Sequence, residues 1–186
     1  MINQTILNNI NKVWLLASNE DIQKGLTWYE DANKIGQGIS DRTNTPLVNV
    51  IGVISAISPG VAWDTNVRQA EAFLLDENAV LSTYPAFRDK AAMIAVPFNS
   101  YDDIKSILLG NRGRGKKTAN FFANMYDYQF NTNVTVDRWM YRAAKLDNNI
   151  KYYDQIEDVV RLIASSDGLL PHQVQATIWE TIRRGV

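Results

Sequence analysis

The chain has 186 residues, with 19 Lys and Arg against 20 Asp and Glu, one histidine and no cysteine. That length allows one domain with a sizeable core. The missing cysteine excludes disulfides, thiolate metal sites and cysteine-held iron–sulfur clusters, and a single histidine disfavours a zinc site or a Ser-His-Asp triad. The net charge of −1 does not predict nucleic-acid binding, and no apolar run is long enough to span a bilayer. We expect an intracellular, cytoplasmic protein without a membrane partner and leave its oligomeric state open.

The apolar pattern predicts helices along the whole chain. Apolar residues recur at helical spacing after Thr5 and again after Ser18, and Ser18 with Asp21 has the spacing of a capping box. Thr45-Pro46 then opens LVNVIGVISAIS, which is apolar nearly all round. Its Val and Ile would also suit a buried strand. No partner strand is predicted elsewhere, so we interpret the segment as a central buried helix that ends at Pro59-Gly60.

Caps and prolines mark the later helix starts. In chain order, the predicted starts are Asp64 or Thr65, Pro85, Ser100, Thr118, Asp137 and Pro171. Between the last two, a further helix is predicted through Ile156 and stops near Gly168. In the first of these helices, we expect Val67, Ala70 and Leu74 to face inward. The fold class is therefore all-α: residues 1–186 form a single-domain bundle of roughly eight to ten helices.

The segment LLGNRGRGKKTANFF, Leu108–Phe122, is rich in glycine and cations. Gly110, Gly115 and Lys116 match the G-x-x-x-x-G-K pattern of a nucleotide phosphate loop. That loop needs Ser or Thr directly after its lysine and a buried strand before it. Here Lys117 follows the lysine, and a helix is predicted before Gly110. Both features disfavour a nucleotide hydrolase.

A glycine-rich hairpin between two helices is the alternative for this segment. No acidic residue lies between Asp103 and Asp127, whereas five cations do: Lys105, Arg112, Arg114, Lys116 and Lys117. Backbone N–H groups and the positive end of the following helix would face an anion. A helix–hairpin–helix of this kind binds a nucleic-acid backbone without reading its sequence. The competing interpretation is a solvated basic loop.

The segment NRGRGKKTAN, Asn111–Asn120, resembles the Leu-Pro-Gly-Val-Gly-Arg-Lys-Thr-Ala-Asn hairpin of endonuclease III-type helix–hairpin–helix DNA glycosylases. Downstream, VTVDRWMYRAAKL resembles the Val-Asp segment of that family, with Val136, Asp137 and Arg142 in matching places. Upstream, GVISAISPG resembles its buried Leu-Ser-Ala-Gln helix. YPAFRDKAAMIA looks like its Tyr-x-x-Lys-Ala helix, with Lys90 in the lysine place. The resemblance covers roughly residues 46–145 in order.

The resemblance implies a DNA N-glycosylase that removes a damaged or modified base, with or without an AP lyase step. It assigns to Asp137 the carboxylate that stabilises positive charge on the sugar. To Lys117 it assigns the amine that attacks C1′ in a lyase, with Lys116 as a competitor for that role. It implies DNA contacts from the hairpin residues, namely Arg112, Gly113, Arg114, Gly115, Lys116 and Thr118. We expect no organic cofactor and no iron–sulfur cluster. The resemblance implies one bound ion, a monovalent cation at the hairpin carbonyls.

Two further residues are candidates for the base pocket. Trp63, followed by Asp64, comes just after the predicted buried helix, where a ring could stack on an extruded base. A tryptophan in such a position is more often part of the core.

His172 follows the proline that opens the last helix, so we expect it at the surface or in a capping role.

The chain departs from the glycosylase pattern at several positions. Asn111-Arg112 replaces Leu-Pro, Arg114 replaces an apolar residue, Ile57 replaces the Gln, and Arg138-Trp139 replaces Thr-His. These changes resemble small virus-encoded relatives of the fold. Two alternatives stay open: a base-modification enzyme on the same fold, and a non-catalytic DNA-binding module in which Asp137 only caps a helix.

Overall fold

The computed structural model describes residues 2–185 and, within that range, every side chain except that of Arg112. Its regular structure is entirely helical, with ten α-helices, two short 3-10 turns and no strand in the described part of the chain. The all-α fold class is therefore confirmed. None of the described helices has the length and apolar character needed to cross a membrane. The helices are α1 (Gln4–Leu15), α2 (Asn19–Thr43), α3 (Leu47–Ile57), α4 (Trp63–Leu75), α5 (Pro85–Ala95), α6 (Tyr101–Leu109), α7 (Lys116–Tyr126), α8 (Arg138–Ala143), α9 (Tyr153–Asp167) and α10 (Pro171–Arg183).

The predicted capping boxes are present at the starts of α2 and α6. The Ser18 N–H donates to Asp21 Oδ2 at 2.9 Å, and the Asp21 N–H donates to Ser18 Oγ at 3.2 Å. Ser100 and Asp103 make the same reciprocal pair, at 2.9 and 3.2 Å. These bonds satisfy amide groups that have no partner inside the helix, so four residues of sequence are enough to set where each helix begins.

The chain divides into two compact units, and α2 runs through both. Unit 1 contains the residues up to Asp31 and those from Asp127 onward, and unit 2 runs from Ala32 to Tyr126. We predicted a single domain for the whole chain. That expectation stays a prediction.

The centre of unit 2 is α3, as the sequence predicts. Every residue from Asn49 to Ile57 is buried, and α3 packs against α4, α5, α6 and α7. The buried amide of Asn49 donates to the carbonyls of Ile94 at 2.7 Å and Val96 at 2.8 Å, at the end of α5. A buried apolar helix, bonded to the end of α5 through Asn49, therefore forms the centre of this unit.

The inward face of α4 differs from our prediction. The buried residues are Asn66, Ala70 and Phe73, whereas Val67 and Leu74 are only half-buried. The reason is a hydrogen bond: the Asn66 amide donates to the Ile54 carbonyl of α3 at 3.0 Å. Carbonyls in the last turn of a helix have no partner within that helix. A buried asparagine that donates to such a carbonyl is therefore favoured, although the apolar pattern of α4 does not predict a buried polar residue.

In unit 1, α1, α8, α9 and α10 pack around an apolar core to which α1 contributes Ile6, Ile10 and Val13. Polar groups are buried beside this core. The Tyr29 hydroxyl of α2 donates to Gln175 Oε1 at 2.7 Å and lies 3.1 Å from Thr135 Oγ1. The unit is thus held by apolar packing and by hydrogen bonds between distant parts of the chain.

His172 is buried, so our expectation of a surface residue is wrong. Only 2% of its surface is exposed, its Nδ1 lies 3.2 Å from the Asn131 carbonyl oxygen, and its ring meets that of Tyr29 edge-on. The first turn of a helix is usually solvated, but here the segment around Asn131 covers it. Burial lowers the pKa of His172, and the Asn131 carbonyl and the Asp127 carboxylate oppose this shift.

This burial predicts a loss of stability in mild acid. The unfolded chain protonates its histidine near pH about 6.5, whereas the folded protein resists protonation to a lower pH. The unfolded state then binds more protons, so the free energy of unfolding should fall as the pH drops below about 6.5. His172→Gln should flatten this dependence between pH about 7 and 5, measured by urea unfolding at several pH values. An equally steep dependence in the variant would contradict the prediction, whatever its absolute stability.

Candidate functional site

The glycine-rich segment forms a hairpin between α6 and α7. After Leu109, Gly110 takes a φ of +62°, a 3-10 turn covers Asn111–Gly113, and Gly113 has a φ of +66°. Positive φ values favour glycine, so both residues allow the reversal before α7 begins at Lys116. The residues before Gly110 are helical, as predicted, and lack the strand of a nucleotide phosphate loop.

Gly115 closes the hairpin by close approach to the end of α6. A Cβ atom at this position would lie 1.8 Å from the Leu108 carbonyl oxygen, so no larger residue fits without movement. The Gly115 N–H donates to the Leu109 carbonyl at 2.9 Å. The Thr118 hydroxyl donates to the Gly115 carbonyl at 2.9 Å. Thr118, which we predicted to contact DNA, is buried and bonded to the hairpin backbone.

Lys90 of α5, which is not part of the hairpin, bonds to the end of α6 where the hairpin begins. Its Nζ donates to the Leu108 carbonyl at 2.9 Å, and a Cβ on Gly110 would lie 3.1 Å from the same nitrogen. An ammonium group at the C-terminal end of a helix is favoured by the helix dipole. Burial lowers the pKa of Lys90. We did not predict it as a site residue, although its place in the Tyr-x-x-Lys-Ala pattern was a signal.

A surface cavity of about 460 Å³ opens where α5 faces the hairpin. Its cationic lining residues are Lys90, Arg114 and Lys117, and its described lining includes no acidic residue. Phe87 and Pro59 are among its apolar walls. The arrangement combines positive charge with an aromatic surface, which suits an anion that carries an apolar or aromatic part.

The predicted backbone-binding cations cluster at the start of α7. Lys116 and Lys117 are its first two residues, and Arg114 is exposed just before them. The side chain of Arg112 lies outside the described part of the structure. Cations at a helix N-terminus oppose the helix dipole, at a cost of about 0.3–1 kcal/mol each. The same helix end is favourable for an anion.

Asp137, the predicted catalytic carboxylate, caps α8 in unit 1. Its Oδ1 accepts the Trp139 N–H at 2.9 Å and the Met140 N–H at 3.2 Å. Its Oδ2 accepts the indole N–H of Trp179 at 3.0 Å. Only 8% of its surface is exposed. Both oxygens are therefore oriented by N–H donors, and the predicted capping role is confirmed.

Trp179 is a contact that sequence reasoning missed. This tryptophan of α10 is half-buried, and its indole nitrogen bonds to Asp137, 42 residues away in sequence. Its ring also meets Trp28 of α2 at a centroid distance of 5.3 Å. No local pattern signals such a pair, because the two residues meet only when α8 and α10 pack.

The candidate base-pocket residues lie apart from the cavity beside the hairpin. Trp63 begins α4 and is half-buried, with its ring edge-on to Phe121 at 6.3 Å. Asp64 is exposed in the first turn of the same helix. Neither residue lines the cavity. Base stacking by Trp63 therefore stays a prediction.

Residues 1–186 match a protein family of unknown function, DUF7178, and the chain belongs to that family. No curated protein and no solved structure matches it. Among the described side chains there is no group of three or more His, Asp or Glu residues that could hold a metal ion. The family match assigns no activity.

The close approach at Gly115 predicts that Gly115→Ala is destabilising. The new methyl group would overlap the Leu108 carbonyl, and relieving such overpacking costs about 1–3 kcal/mol. Gly38→Ala is the matched control in the same unit, because its Cβ would meet only the end of the flexible Arg42 side chain, at 3.2 Å. That helical change should stabilise by about 0.5–1 kcal/mol. Urea unfolding compares the two, and equal effects would rule out the tight hairpin.

Proposed function

We propose that this DUF7178 protein is a DNA N-glycosylase that removes a damaged or modified base. The hairpin would hold the DNA backbone, and Asp137 would stabilise the sugar during bond cleavage. One observation carries the proposal: a segment that resembles the glycosylase hairpin closes tightly between two helices, with Gly115 against the Leu108 carbonyl. DNA as partner and a cytoplasmic location, in the host cell if the protein is viral, belong to the same proposal.

Backbone binding by the hairpin is supported by charge and geometry. Arg114, Lys116 and Lys117 lie within four residues at the positive end of α7. Cations and backbone N–H groups at a helix N-terminus attract phosphate oxygens whatever the base sequence. We therefore expect binding that is strong at low salt and has little sequence preference.

The proposed role of Asp137 follows from the chemistry of the N-glycosidic bond. Positive charge builds on the sugar as the bond between C1′ and the base nitrogen breaks, and a fixed carboxylate stabilises that charge. Oδ1 is taken by two backbone N–H groups. Oδ2 accepts the indole N–H of Trp179, and we assign the carboxylate as a whole to the developing charge on the sugar. Oriented N–H donors also remove the need to reorganise the carboxylate during the reaction.

A lyase step would add an amine nucleophile, and Lys117 is the residue proposed for it. Its side chain lines the cavity beside the hairpin together with Lys90, whereas Lys116 is the alternative amine. A monovalent cation at the hairpin carbonyls belongs to the same proposal, and none of the steps proposed for Asp137 or Lys117 depends on it.

A non-catalytic DNA-binding module is the second candidate, and one observation favours it. Three N–H donors to Asp137 account for its burial without any catalytic role. In this alternative the hairpin binds DNA and no base is released. The base-modification alternative has no observation of its own.

The hairpin cations should set the salt dependence of DNA binding. Replacing Arg112, Arg114 and Lys116 together by Ala should flatten the plot of log affinity against log salt by about two to three units. Fluorescence anisotropy with a duplex at several salt concentrations measures this slope. The matched control replaces exposed Lys12, Lys24 and Arg68 by Ala, which changes the net charge equally. If both triple variants behave alike, the hairpin is not the binding surface.

The test of Asp137 has to take Trp179 into account. In Asp137→Asn, the remaining side-chain oxygen can keep the cap only in the place of Oδ1. The new NH₂ group then takes the place of Oδ2 and faces the indole N–H of Trp179, so two donors meet. The matched pair is therefore Trp179→Phe alone and Trp179→Phe combined with Asp137→Asn. The second protein keeps the cap and loses only the charge.

We expect Trp179→Phe to release bases within about tenfold of the wild-type rate, and the double variant to be at least about a hundredfold slower, with DNA affinity unchanged. Released bases are measured by mass spectrometry from DNAs that contain diverse modified bases. Equal rates in the two variants would refute the catalytic role of Asp137. No base release from the wild-type protein would favour the binding module.

A further inference from the structure

The cavity beside the hairpin has features that are not required for binding the DNA backbone at its internal phosphates. Lys90 and Phe87 reach it from α5, and Pro59 reaches it from the segment after α3, so part of its wall comes from outside the hairpin. Its volume of about 460 Å³ lies within the range of about 300–1,000 Å³ that is typical of small-molecule sites. A backbone that runs past the hairpin touches a surface and does not need a cavity of this size.

The charge in the cavity fits a dianion better than a monoanion. Three cationic side chains line it, those of Lys90, Arg114 and Lys117, without a described acidic neighbour in the lining. An internal DNA phosphate is a diester with one negative charge, whereas a terminal phosphate is a monoester with about −1.5 to −2 charges at neutral pH. A monoester is also a chain end, so it can enter a cavity without a continuing strand on both sides.

Lys90 is oriented for such a ligand. Its ammonium uses one N–H for the Leu108 carbonyl, at 2.9 Å. An ammonium group has three N–H donors, so two are available to phosphate oxygens. The group is partly buried, and a lower local dielectric strengthens its attraction to an anion. Phe87, half-buried on the same helix, supplies a flat apolar surface for a nucleoside ring.

We propose that this cavity binds the phosphate monoester of a nucleoside, with the phosphate on Lys90, Arg114 and Lys117 and the nucleoside ring against Phe87. The ligand has two sources, a free nucleoside monophosphate or the 5′-phosphorylated end of a DNA strand. The second source deepens the proposed function and rests on it. In a lyase step, β-elimination breaks the C3′–O3′ bond of the opened sugar and leaves a 5′-phosphate on the next nucleotide.

The test uses the full chain and four probes followed by NMR titration of backbone amides: dTMP, thymidine, and one single-stranded oligonucleotide with either a 5′-phosphate or a 5′-hydroxyl. We expect dTMP or the phosphorylated strand to bind at least about tenfold more tightly than its unphosphorylated partner. Shifts should be centred on the amides around Lys90 and Gly110. Preference for dTMP identifies a free nucleotide as the ligand, and preference for the phosphorylated strand alone identifies a DNA end. No preference for either phosphorylated probe overturns the proposal.

Lys90→Gln is the principal variant, because Gln removes the charge but retains an N–H donor for the Leu108 carbonyl. It should weaken binding of the phosphorylated probe by about tenfold or more, and by a larger factor than it weakens binding of a duplex with 5′-hydroxyl ends. Phe87→Leu should weaken dTMP binding without changing the binding of inorganic phosphate. Thermal unfolding checks that each variant is folded. If both folded variants bind the phosphorylated probe as the wild type does, the proposal is wrong.

The outcomes separate this proposal from the glycosylase proposal. If the phosphorylated probe binds through Lys90 but no base is released from any DNA, the cavity assignment stands and the glycosylase proposal fails. If bases are released while neither phosphorylated probe is preferred, the glycosylase proposal stands and the cavity assignment fails.

Discussion

The carbonyl oxygen of Leu108, at the end of α6, is the point on which the candidate interface depends. The backbone of Gly115 approaches it too closely for any side chain, and the Lys90 ammonium bonds to it at 2.9 Å. The first contact closes the hairpin, and the second brings α5 to it. Together they bring the cations of the hairpin and of α5 to one cavity. A change at this carbonyl would therefore alter both the backbone-binding surface and the cavity.

The cations of the hairpin suit the proposed function but not the stability of α7. The hydrogen bonds of Asp137 suit both the stability of α8 and the proposed function. Cations at the first turn of α7 oppose the helix dipole, whereas the proposed binding of a phosphate at the same place is favoured by it. At α8, the N–H bonds that cap the helix also orient the carboxylate that we assign to catalysis. A helix cap and a catalytic group can thus be the same residue, which is why removing the charge while keeping the cap is the informative experiment.

Local signals predicted much of this structure. The capping boxes at Ser18 and Ser100 and the cap at Asp137 each depend on residues within one turn, so their spacing alone locates three helix starts. Errors arose where a distant group changed a local preference. The inward face of α4 follows Asn66, because the amide satisfies a carbonyl of α3. His172 is buried, because a segment some forty residues away in sequence covers the first turn of α10.

The sequence by itself determined the all-α class, most helix starts, the buried α3 and the glycines of the hairpin, because capping, helical periodicity and turn formation act within a few residues. Only the tertiary structure decided which side chains meet. Trp179 reaches Asp137 across 42 residues, and Lys90 reaches Leu108 across 18. The cavity walls likewise come from separate segments. Such contacts carry no local signal, because they depend on how whole helices pack and on which buried polar groups need a partner.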